Sequence, residues 1–157
     1  MPELPEVETI ARGLASTIVG KTIADARALR PEIVIASRRP AFGKQIAGDS
    51  ILSVARRAKY VVLELASGRR LVTSLRMTGR LIVQQQSDAR YPYTNLFLDF
   101  TDGTRLAFAD VRRFGRMRLV KKDEPWDADL GVEPLSEAFD TTRFAALLKG
   151  RRTPIKV

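Results

Sequence analysis

NLFLDFTDGTRLAFAD, residues 95–110, decides the fold class. Two runs of strand-favouring residues flank Thr101-Asp102-Gly103, and an Asp-Gly pair between such runs is a strong hairpin signal because both central turn positions take positive φ. The same period of two recurs on either side. ILSVARRAKYVVLEL (51–65) places Val61, Leu63 and Leu65 on one face, and ASG (66–68) turns the chain into RRLVTSL (69–75). GRMRLVKK (115–122) alternates again, with Met117 and Leu119 inward and Arg116 and Arg118 outward. The flanks read differently. Val7, Ile10, Ala11, Leu14 and Ile18 recur at helical spacing, with Pro5 suited to a first turn and Gly20 to a C-terminal cap. Asp140 caps a second helix carrying Phe144, Leu147 and Leu148 and stopped by Gly150.

Helix, many antiparallel strands, helix: that order predicts a mainly β fold, a two-layer antiparallel β-sandwich with an N-terminal and a C-terminal helix. QQQSDARYPYT (84–94) reads as a mobile loop, and residues 121–139 as an irregular connection. With 157 residues, one domain with a real core is expected.

Lys and Arg number 27 against 18 Asp and Glu, a net charge of +9, which suits a polyanion such as nucleic acid or an anionic membrane surface. Cysteine and histidine are both absent. No zinc site, thiol nucleophile or Ser-His-Asp triad can be assembled from this chain, so its chemistry rests on carboxylates, amines and hydroxyls. The acidic N-terminus is unlike a signal peptide and the apolar runs are too short for a transmembrane helix, so a cytoplasmic place is expected.

Four stretches can carry chemistry. Removal of Met1 before the small Pro2 leaves a secondary amine, and an α-amine has a pKa near ~8, so a useful fraction is unprotonated near neutrality. Such an amine attacks an aldehyde or a sugar C1′ to give an iminium, with Glu3 beside it as an acid and Glu6 one turn on. Pro and Glu are equally ordinary helix-start residues. RRAKY (56–60), read as strand, puts Arg57 and Lys59 on one face; Lys59 can meet a phosphate, or the stretch is only a basic edge. In DVRRFGRMR (110–118), Phe114 between arginines is what a wedge between bases requires, or else a buried hairpin-end aromatic. Met77 in LRMTGRL (75–81) sits on a tight turn, although a core Met is the commoner outcome.

Taken together, MPELPEVET, RRAKY, LRMTGRL, DVRRFG, LGVEPLSEAF and the late IK resemble the formamidopyrimidine-DNA glycosylase / endonuclease VIII family, in order and spacing along the whole chain. PELPE looks like the formamidopyrimidine branch. The resemblance implies base-excision repair of oxidised purines such as 8-oxoguanine and formamidopyrimidines by a bifunctional DNA glycosylase/AP lyase ending in β,δ-elimination. Pro2 would be the Schiff-base nucleophile, Glu3 the acid opening the deoxyribose ring, Glu6 its support, and Lys59 a phosphate contact or proton donor. Met77, Arg112 and Phe114 would fill the gap left by the flipped nucleotide; Tyr93, Arg151 and Lys156 match DNA-contact positions. The partner would be duplex DNA with a damaged base or abasic site, the full-length protein a cytoplasmic, nucleoid-associated monomer.

Residues 1–157 would then be the N-terminal catalytic domain, with the family's helix–two-turn–helix and zinc-finger domain absent and zinc expected only there. The isolated domain would be weak or inactive. Ser74, Tyr93, Asn95 and Val111 depart from the family's usual histidines and proline, which bears on DNA-backbone contacts rather than amine chemistry. Two alternatives remain: a non-catalytic DNA-binding module of the same fold, or a basic β-domain binding RNA or protein.

Overall fold

A computed structural model describes residues 1–36 and 41–154. Its elements are α1 (Leu4–Ile18), β1 (Ile23–Ala28), β2 (Val34–Ile35), α2 (Phe42–Ile46), β3 (Ile51–Arg57), β4 (Tyr60–Leu65), β5 (Arg70–Ser74), β6 (Gly79–Gln85), β7 (Thr94–Phe100), β8 (Thr104–Asp110), β9 (Arg116–Val120) and α3 (Thr141–Leu148). Two compact units divide them, Met1–Trp126 and Asp127–Val157.

The first unit is the expected sandwich. One sheet runs β1-β7-β8-β6 and the other β2-β9-β5-β4-β3. The 95–110 stretch forms the β7–β8 hairpin, in register Phe97↔Ala107, Leu98↔Leu106 and Asp99↔Arg105. Gly103 supplies the positive φ of +86° that the turn needs. Asp102 accepts hydrogen bonds from Lys21 and, at 2.9 Å, from the Thr104 amide. The Lys21 ammonium, then the Thr104 donors, hold the Asp102 carboxyl well below the usual carboxylate range.

Alternation sends Leu96, Leu98, Leu106 and Phe108 of one sheet and Leu63, Leu65, Leu71, Met117 and Leu119 of the other into a shared core. Val7, Leu14 and Ile18 close that core from α1, as the helical spacing requires. The five-stranded sheet is covered on its outer face too: Val62, Val72 and Val120 lie under Tyr60 and Trp126, whose rings meet edge to face at 5.8 Å.

Four features depart from the sequence expectation. Residues 21–50 have no clean period, yet carry β1, β2 and α2, whose Phe42 and Ile46 plug the core. The β2–β9 pair is parallel within an otherwise antiparallel sandwich. RRAKY is not one continuous strand: Arg56 and Arg57 end β3 and Tyr60 opens β4, with Ala58 and Lys59 as the two-residue turn between them. Residues 84–94 are not a free loop: Gln84 and Gln86 side chains tie them to the carbonyls of Ala89, Phe100 and Thr104 at 2.7–3.0 Å.

The second unit carries α3, capped as expected by the Asp140 carboxylate accepting from the Arg143 amide at 2.7 Å. Phe139 packs edge to face on Phe144 at 5.8 Å, and Phe144, Leu147 and Leu148 stay partly exposed. No helix among the described residues is long and apolar enough to cross a membrane.

Candidate active site

The start of α1 meets the β3–β4 turn. Glu6 accepts a hydrogen bond from the Glu3 amide at 3.0 Å, so the two glutamates fasten the helix start reciprocally in sequence. Lys59, at the turn tip, forms an ion pair with Glu3 at 2.7 Å. Both partners are about half exposed, and such a pair contributes little to stability. Its consequence is positional: a carboxylate and an ammonium stand side by side at the helix start.

Arg56 sits beneath this tip with its side chain only 3% exposed. Its Nε donates to Glu8 of α1 at 2.7 Å, and its Nη1 to the Ala58 carbonyl at 3.1 Å. Hydrogen bonding from Arg56, then from Arg12, holds the Glu8 carboxyl below its ordinary value. One arginine therefore joins the helix to the turn that carries Lys59.

Two further turns lie at the ends of β5, β6, β8 and β9. Met77, in the β5–β6 turn, is 47% exposed, and Phe114, in the β8–β9 loop, is 51% exposed. Neither is a core residue. The Arg112 guanidinium lies over the Phe114 ring, 4.8 Å from its centroid. Between the turns stands Asp110, 2% exposed, whose carboxylate accepts from the Thr78 hydroxyl, from the Arg112 amide at 3.1 Å and from the Gly115 amide at 2.7 Å.

Backbone strain gathers here. Ala58, Arg76, Tyr93 and Arg113 all have φ between +52° and +59°. Each left-handed non-glycine residue costs about 1–2 kcal/mol, and such outliers persist where surrounding bonds over-determine them. These four adjoin or coincide with Lys59, Met77, Tyr93 and Phe114, the residues that the motifs single out.

A cavity of about 430 Å³ collects Pro2, Met77, Tyr91, Tyr93, Asp110 and Val111 along one wall system. Pro2 and Met77, 75 positions apart in sequence, thereby share one space. On the other side of Tyr93, a cleft of about 490 Å³ is lined by Arg30, Arg90 and Arg113 together with Thr94 and Asn95. These three exposed arginines form no ion pair among the described residues, and nothing in their local sequence signals that they converge. Asn95 itself is buried and donates to the Asp110 carbonyl at 2.9 Å, so its amide serves the scaffold. Arg151 is exposed in the second unit, and Lys156 lies outside the described residues.

Compared with known proteins, residues 1–117 match the family model of the formamidopyrimidine-DNA glycosylase N-terminal domain. The formamidopyrimidine-DNA glycosylase of Moorella thermoacetica is 42% identical over 160 residues, a match covering 99% of this chain and 58% of that one. That of Cereibacter sphaeroides is 39% identical over 168 residues, covering 99% and 59%. A solved Lactococcus lactis Fpg bound to abasic-site DNA superposes with TM-score 0.71 at 34% identity, over 76% of this chain and 44% of that one. MutM bound to DNA containing carbocyclic 8-oxo-G gives TM-score 0.74 at 35% identity, over 79% and 46%. The chain spans less than two-thirds of the length of these relatives.

Proposed function

The chain belongs to the formamidopyrimidine-DNA glycosylase family, and from that premise we propose that it is the amine-bearing domain of a base-excision repair DNA glycosylase/AP lyase acting on oxidised purines in duplex DNA. The observation that carries this reading is the placing of Pro2 in one cavity with Met77 and Tyr93, beside the Glu3–Lys59 pair.

Once Met1 is removed, the Pro2 nitrogen has a lone pair to offer C1′ of an extruded nucleotide. The C1′–N bond to protein forms as the bond to the damaged base breaks; the electron pair leaves with the base, which takes up the proton that the Pro2 nitrogen sheds. Glu3 donates a proton to the ring oxygen as the C1′–O4′ bond opens, leaving an iminium that acidifies C2′. Loss of the C2′ proton expels the 3′ phosphate; Lys59 faces that phosphate and balances its charge. A second elimination releases the 5′ phosphate and leaves a gapped strand. Glu6 keeps the helix start, and with it Glu3, in place. Met77, Arg112 and Phe114 fill the vacated stack, and Arg30, Arg90 and Arg113 meet backbone phosphates. The chemistry proposed here uses only this chain's amine, carboxylates and lysine.

Borohydride trapping on a duplex with one abasic site tests the proposal, using protein whose N-terminus is verified by mass. A covalent adduct with free Pro2, absent in Pro2→Gly and in protein retaining Met1, is the expected result. Tight binding to the same duplex without an adduct would instead assign the chain as a non-catalytic DNA-binding module. Equal, weak binding to intact and abasic duplexes would leave only a basic β-domain.

A further inference from the structure

We propose that Asp110 is a positioning residue that holds the Met77 turn and the Phe114 loop as one rigid unit, so that both side chains enter the duplex together. The inference rests on the reading of the chain as a nucleotide-extruding repair domain.

Asp110 ends β8 with its carboxylate almost wholly withdrawn from water. No basic side chain among the described residues pairs with it. A buried carboxylate without a cation is expensive and is retained only where hydrogen bonds replace its hydration. Those bonds come from two separate segments. Oδ1 takes the Thr78 hydroxyl, next to Met77, and the Arg112 amide; Oδ2 takes the Gly115 amide, next to Phe114. The Thr78 oxygen also accepts from the Arg112 amide at 3.3 Å, closing a triangle. A carboxylate has about four acceptor sites, enough to gather donors converging from both turns; a neutral amide has half as many and brings two hydrogens that oppose the incoming amides.

The backbone of the same residue reaches a third segment. Its N–H donates to the Tyr93 carbonyl at 3.1 Å, and its carbonyl accepts from Asn95. A β-carbon on Gly115 would stand 3.1 Å from Oδ2 and 2.6 Å from the Phe108 ring, so the loop is drawn in against the carboxylate with no slack. Phe114 and Met77 are thus half-exposed apolar side chains on turns that cannot move independently. Inserting them pays for unstacking only if their positions are set beforehand.

Borohydride trapping on an abasic duplex and on the same strand alone separates positioning from chemistry, because a single strand needs no wedge. For Asp110→Asn and Thr78→Val, the duplex adduct should fall about tenfold, the size expected from losing a hydrogen bond to a charged group. The single-strand adduct should stay within about twofold of the parent. Phe114→Ala should lower the duplex adduct by a similar factor, and on duplex the Asp110→Asn/Phe114→Ala double variant should lose no more than either single one, since both act on one event. An unchanged duplex adduct, an equal loss on both substrates, or additive losses would each overturn the proposal. A fluorescent 2-aminopurine opposite the abasic site reads insertion without covalent chemistry. If Pro2 forms no adduct anywhere, the parent should still brighten it and Asp110→Asn should not; equal brightening would sink the inference whatever the fate of the amine.

Discussion

At the residue scale, Arg56 does the most with one side chain. Its guanidinium reaches Glu8 on the helix and the Ala58 carbonyl in the turn, so the Glu3–Lys59 pair above it inherits a fixed footing. Glu8→Gln takes one carboxylate away from that buried cation and should cost about 1–3 kcal/mol at pH 7. The sign of the pH dependence follows from the depressed Glu8 carboxyl. The folded pKa lies below the unfolded value, so the stabilisation is complete above the ordinary value of 4.5 and is lost as pH falls through the folded pKa. Urea unfolding should therefore separate parent and Glu8→Gln at pH 7, and the gap should narrow as pH falls below 4.5; a constant gap would remove Glu8 from the account. The strand expected across RRAKY breaks at Ala58 and Lys59, while Arg56, Arg57 and Tyr60 keep it. A two-residue turn normally shows Asn or Gly, whereas Ala58 here accepts a φ of +53° that the Arg56 bond braces.

At the element scale, the β8–β9 connection is held by close approach. Gly115 is buried, and a methyl group there would lie 2.6 Å from the Phe108 ring and 2.9 Å from the Ser74 carbonyl. Gly115→Ala should cost about 1–3 kcal/mol by overpacking, read as a lower urea midpoint, and should shift Phe114 as well. Phe108 is fully buried between the sheets, and Phe108→Ala should cost about 3–5 kcal/mol in the same assay. A far smaller loss would mean that this hairpin is not the centre of the core. The hairpin itself was legible because alternation and Asp-Gly are local signals. The short α2 and β2 were not, since α2 is held by its packing on β1 and β2 by its pairing with β9, and no local period marks either.

At the scale of the molecule, the charge of +9 acquires a direction. Arg30, Arg90 and Arg113 converge on one cleft beside the Pro2 cavity. Replacing all three by Gln should reduce the slope of log affinity against log salt by roughly 2–3 for duplex DNA. The same charge removed at Arg12, Arg27 and Arg69, each already facing a carboxylate, should change it less. Equal changes from both sets would mean that net charge, not this cleft, governs binding.

The sequence by itself determined the sandwich, its two flanking helices and the identity of most candidate site residues. Those rest on local periods, caps and motifs, which the chain carries whatever its surroundings. Only the tertiary structure decided that Met77 and Phe114 are exposed rather than core, and that Glu3 meets Lys59. It alone brought Asp110 to Thr78, 32 residues away, and gathered three arginines from three separate segments. Such pairings are set by strand register and turn geometry across the whole core, which no local pattern encodes.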